Sequence, residues 1–108
     1  MRLIRAVYHL TQHFPDEEKP GLCATLQRTV ASIPTKVAEI HRHRGSDQSA
    51  AALSAAHATL RECSAYLDVA ERLRMTSRWR FIRPQRRIRK VADRLAQLSD
   101  VDADKAHC

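Results

Sequence analysis

Apolar residues return every three or four positions through four separate stretches of this chain, and nowhere do they alternate one on, one off. Spacings of three and four keep side chains on one face of an α-helix, whereas a half-buried strand needs a period of two. The chain is thereby restricted to an all-α fold. Leu3, Val7, Leu10 and Phe14 form the seam of a first helix over residues 2–13, which Pro15 stops by disfavouring helical geometry in the residue before it. Asp16 is the expected N-cap of a second helix over residues 18–43. Its seam is Leu22, Leu26, Val30 (or Thr29), Ile33, Val37 and Ile40. Gly45 offers a left-handed turn, and Ser46 or Asp47 is placed to cap a third helix over 47–74. Leu53, Ala56, Leu60, Cys63, Leu67 and Ala70 make the third seam, beside an alanine-rich first half able to hold a neighbouring helix. A fourth helix, over 84–98, is expected to start at Pro84 and to present Ile88, Val91, Leu95 and Leu98. Short connections between four such helices predict an antiparallel four-helix bundle over residues 1–99. The acidic stretch 100–108 has no apolar period and is expected to fray.

A chain of 108 residues can bury such a core as one domain without staples. Its three cysteines are an odd number with no C-x-x-C spacing, which argues against a disulfide framework and against a zinc knuckle. Cys23 and Cys63 fall on core positions, where a free thiol packs as a small hydrophobe. A reducing, cytoplasmic compartment is the expectation. No apolar run is long enough for a signal peptide or a membrane span, so no membrane partner is expected.

Pro34 lies inside the second helix, removes one backbone donor and predicts a kink. Ser32 or Thr35 is placed to satisfy the freed carbonyls. The opening can serve a ligand or merely bend the helix around its neighbours, and the bland reading is preferred because no reactive groups cluster beside it.

Charge is concentrated. Between residues 76 and 98 stand Arg78, Arg80, Arg83, Arg86, Arg87, Arg89, Lys90 and Arg94 against one acid, Asp93, which accounts for the whole formal net charge of +7. Such local excess points to an anionic partner, with nucleic acid the first choice. Arg83, Arg87, Lys90 and Arg94 recur at four, three and four, one stripe running roughly 16 Å along a helix. Guanidinium groups in line grip phosphates in bidentate fashion. Trp79 and Phe81 precede the stripe: exposed, they would stack on bases; buried, they would close the bundle. Asp68, Glu71, Asp100 and Asp102 are available to neutralise part of the charge.

His9 and His13 stand at i, i+4, a spacing that can share a metal, yet no third ligand completes a site in sequence. His41 and His43 face different directions. There is no phosphate loop, nucleophile elbow or H-E-x-x-H. The expectation is a protein that is not an enzyme and carries no metal or cofactor.

The order Phe14, Pro15, Glu17, Glu18, Gly21, Leu22, then Arg28, then Ser32, Ile33, Pro34, Ala38 and Glu39 resembles the four helix bundle protein family, also called the 23S rRNA intervening-sequence proteins. The likeness spans residues 3–98 and departs from the family pattern at Gln27, Lys36 and Ile40. The resemblance implies a bundle that assembles as a homopentameric ring. The pattern is also similar to the accessory variability proteins of diversity-generating retroelements, which implies a reverse transcriptase as a partner. The expected function is a nucleic-acid-binding scaffold, for RNA or single-stranded DNA. The alternative is an interaction module whose arginines dock on an acidic protein.

Overall fold

The computed structural model describes the backbone of residues 1–107 and the side chains of residues 1–98. It is all-helical, with no strand among the described residues. The first helix, α1 (Arg2–Thr11), buries Leu3, Val7 and Leu10, and Phe14 beyond its end is buried too. The second segment departs from the expectation of one helix over 18–43. Two irregular turns, Asp16–Glu18 and Lys19–Cys23, come first, and regular helix begins only with α2 (Ala24–Ala31). The cause is local: Pro20 has no N–H to donate, and Gly21 takes φ −102°, ψ −106°, outside the helical region. Asp16 makes no side-chain cap; it is itself part of the first turn, which Pro15 precedes.

Ser32 separates α2 from α3 (Ile33–Arg42). Pro34 has no N–H to donate to the Val30 carbonyl four residues back, and at the break the Ser32 hydroxyl donates to the Thr29 carbonyl at 2.7 Å. The break is one residue long, so α2 and α3 keep one seam: Leu26, Val30, Ile33 and Ile40 are buried, Leu22 and Val37 half-buried. Gly45 adopts φ +79°, the left-handed turn its position requires. The Ser46 hydroxyl accepts the Gln48 N–H at 3.2 Å, and α4 (Ser49–Arg72) starts two residues later than the expected 47.

Ala56, Leu60, Cys63, Leu67 and Ala70 of α4 are buried and Leu53 half-buried, as their spacing predicts. The helix then ends on a cap no glycine announced. Arg74 sits at φ 55°, Met75 N–H donates to the Ala70 carbonyl at 3.1 Å, and Arg74 N–H to Glu71 at 3.0 Å. A short turn, Arg78–Phe81, leads into α5 (Ile82–His107). Pro84 lies within the first turn rather than opening it, where its missing N–H would have had no partner. In α5, Ile88 and Leu95 are buried, Val91 and Leu98 half-buried. The backbone stays helical through His107, past the expected end at 98, because no glycine or proline interrupts it. Cys108 lies outside the described residues.

Packing closes a cycle. α1 lies against α2 and α5, and α4 lies against α2, α3 and α5. Phe14 and Phe81 tie the end of α1 to the start of α5, their ring centroids 6.2 Å apart. Among the described residues no helix is long and apolar enough to cross a membrane.

Candidate functional site

The pairing of α1 with α5 decides what the basic residues can do. Arg83, Arg87 and Lys90 of α5 face a groove of about 820 Å³ between the two helices. Across it stand Arg5, His9 and His13 of α1. Arg86 reaches its edge, and Trp79 and Arg80 close its end. A second hollow, about 850 Å³, continues towards the start of α1 and is lined by Arg2, His41 and Arg94. Arg87 and Lys90 border both. No acidic residue lines either one among the described residues.

Six of the eight basic residues singled out from sequence therefore gather along one side: Arg80, Arg83, Arg86, Arg87, Lys90 and Arg94. The other two do not. Arg78 pairs with Glu71, Nε to Oε1 at 3.3 Å, and Arg89 lies in a separate hollow with them. Of the carboxylates available to neutralise the run, Glu71 takes Arg78, while Asp68 accepts the Gln85 side-chain amide at 3.0 Å. The side chains of Asp100 and Asp102 lie outside the described residues. None of Arg83, Arg87, Lys90 or Arg94 has a carboxylate within 4.0 Å among the described residues.

The two aromatic residues divide. Phe81 is buried and closes the end of the bundle on Phe14. Trp79 is 64% exposed. The Arg80 guanidinium lies over one face of its indole, 4.5 Å from the ring centroid, a favourable cation–π geometry. The same guanidinium donates to His13 Nε2 at 2.8 Å. Because arginine can only donate, that nitrogen is the acceptor of a neutral imidazole. Desolvation, then the charges of Arg80 and His9, hold His13 below the ordinary histidine range.

His9 meets His13 edge to face at 5.5 Å. With Nε2 of His13 engaged by Arg80, the pair is committed to the groove wall. Among the described residues no three or more histidine, cysteine or acidic side chains come together. His41 lines the second hollow, whereas His43 binds Glu39 at 3.2 Å. Glu39 also takes Arg42 at 2.6 Å.

Sequence reasoning passed over Arg2 and Arg5. Their signal was present: Arg2, Arg5, His9 and His13 recur at three, four and four, beside the Leu3, Val7, Leu10 seam. Nothing local, however, says which helix this stripe will face.

The helical order and the Ser32–Pro34 break stand within a stretch that a family model covers. The model is that of the 23S rRNA-intervening sequence protein, and it matches residues 1–97. The chain belongs to that family. The matched region contains α1 to α4 and the basic run of α5 through Arg94. No curated protein matches the chain. Two positions where this chain departs from the family pattern have structural roles. Gln27 donates to the buried Thr11 hydroxyl at 3.0 Å and so ties α2 to α1. Ile40 is buried in the core.

Proposed function

We propose that this chain is a non-catalytic scaffold that binds nucleic acid, RNA or single-stranded DNA, along the α1–α5 groove. The observation that carries the reading is a cationic wall, contributed by two helices, that no carboxylate among the described residues faces. Phosphate oxygens would take Arg83, Arg87, Lys90 and Arg94 on one side and Arg5 on the other. Contacts of this type are electrostatic and read little sequence. The family's name, with its reference to 23S rRNA intervening sequences, is compatible with nucleic-acid association.

The finer architecture belongs to the same proposal. Consecutive helices packed through short connections support an antiparallel bundle. Ala50, Ala51, Ala55 and Ala58 of α4 are exposed in the single chain, a small-residue face open to close approach by another copy in a homopentameric ring. Five grooves acting on one strand would raise avidity over a single site by about 10²–10⁴. A reverse transcriptase is the proposed protein partner. The alternative is an interaction module whose arginines dock on an acidic protein, and Val69 of α4 and Leu73 just past its end are large exposed apolar side chains that favour a protein contact.

Replacing Arg87, Lys90 and Arg94 with glutamine separates the readings. Loss of oligonucleotide binding in a gel-shift assay, with the helical circular-dichroism spectrum unchanged, is the expected result. A wild-type protein that binds no oligonucleotide at low salt, but whose hold on an acidic protein the triple variant loses, would replace this function with the alternative. Light scattering coupled to size exclusion tests the assembly: five chains per particle is expected, and a monomer at all concentrations would remove the ring.

A further inference from the structure

We propose that the α1–α5 groove takes an unpaired base on the open face of Trp79, so that the nucleic acid it holds is single-stranded. This inference rests on the nucleic-acid reading above and adds which form is bound and where its base goes.

Three observations converge on it. Trp79 and Ile82 are large apolar side chains left 64% and 56% exposed, and both line a groove whose other prominent side chains are cations and imidazoles. Arg80 covers one face of the indole and is braced to α1 through His13, so the ring is held while its other face stays open. The neighbour two residues on, Phe81 beyond Arg80, is buried and anchors the turn that presents Trp79. A ligand that matches this floor and these walls needs a flat apolar face next to closely spaced anions. An unpaired base with its flanking phosphates has both. A duplex keeps its base faces inside the stack, and an acidic peptide offers charge without a flat ring.

The resulting arrangement is a guanidinium–indole–base stack, with Arg5, Arg83 and Lys90 on the adjoining phosphates. Stacking of this kind is indifferent to base identity, because every base has a π face. The site would thus select strand form rather than sequence.

Trp79 is the only tryptophan in the chain, so its emission reports on this one position. The experiment titrates the full chain at low salt with a single-stranded oligonucleotide, an abasic strand of equal length, a duplex of equal length and polyglutamate. Binding is followed by anisotropy of labelled ligand and by tryptophan emission. Quenching by the single strand but not by the abasic strand is expected. Trp79→Ala should weaken single-strand binding roughly 5- to 100-fold while leaving abasic-strand affinity unchanged, and Trp79→Phe should recover most of the loss. Because Trp79 is exposed, neither variant endangers folding. Equal single-strand affinity for Trp79→Ala and wild type would overturn the stacking site alone, since salt-dependent binding of the abasic strand would still uphold the broader reading. Equal affinity for duplex and single strand would also overturn it. Polyglutamate binding as tightly as the single strand would assign the groove to an acidic protein, and absence of any nucleic-acid binding would remove both readings.

Discussion

At the scale of single residues, neighbours in sequence have opposite duties. Trp79 and Phe81 were indistinguishable by composition, because a short turn has no apolar period to say which ring faces inward. The structure buries Phe81 and exposes Trp79. Phe81→Ala should cost about 3–5 kcal/mol in denaturant unfolding, while Trp79→Ala should stay within about 0.5 kcal/mol of wild type. Cys63, by contrast, was legible from spacing alone. Burial, and secondarily the charge of Glu62, pushes its thiol up from 9.0 to about 11. A folded thiol that resists ionisation binds its proton more tightly than the unfolded one, so stability is full below pH 9 and falls between pH 9 and 11. The loss amounts to roughly 2 kcal/mol. Unfolding curves across that range should lose their slope from this source in Cys63→Ala, and a thiol reagent should modify Cys63 only as the chain unfolds.

At the scale of elements, the middles of the helices were readable and their ends were not. Each seam is a periodic pattern repeated over several turns, whereas an end depends on one or two residues. Pro34 announced the break in the second helical segment, and Ser32 ties its side of the break down through the 2.7 Å bond to the Thr29 carbonyl. Ser32→Ala should therefore cost about 1 kcal/mol by thermal unfolding. The irregular turns at Lys19–Cys23 came from Pro20 and Gly21 acting together, and acidic capping logic did not foresee them. Arg74 gave no sign at all, since a left-handed cap normally advertises itself with glycine. An arginine held at φ 55° is strained there. Arg74→Gly should stabilise the chain by roughly 0.5–1 kcal/mol, read as a rise of several degrees in Tm. An unchanged or lower Tm would mean that the cap is relaxed with arginine in place.

At the scale of the whole molecule, function depends on which helices become neighbours, and periodicity does not encode that. The α5 stripe was visible in sequence as a charge run. Its counterpart on α1 was visible only as spacing, and the two became one wall when α1 packed against α5. Arg5→Gln, remote in sequence from the basic run, should weaken single-strand binding and reduce its salt slope by about 0.7. Arg78→Gln, inside the run but paired with Glu71 away from the groove, should change neither. The most direct test of the central claim is the salt dependence of single-stranded oligonucleotide binding, measured by fluorescence anisotropy from low to physiological ionic strength. Five phosphate contacts, on Arg5, Arg83, Arg87, Lys90 and Arg94, predict that log affinity falls against log salt with a slope of about −3.5. A slope near zero, or no binding even at the lowest salt, would contradict it.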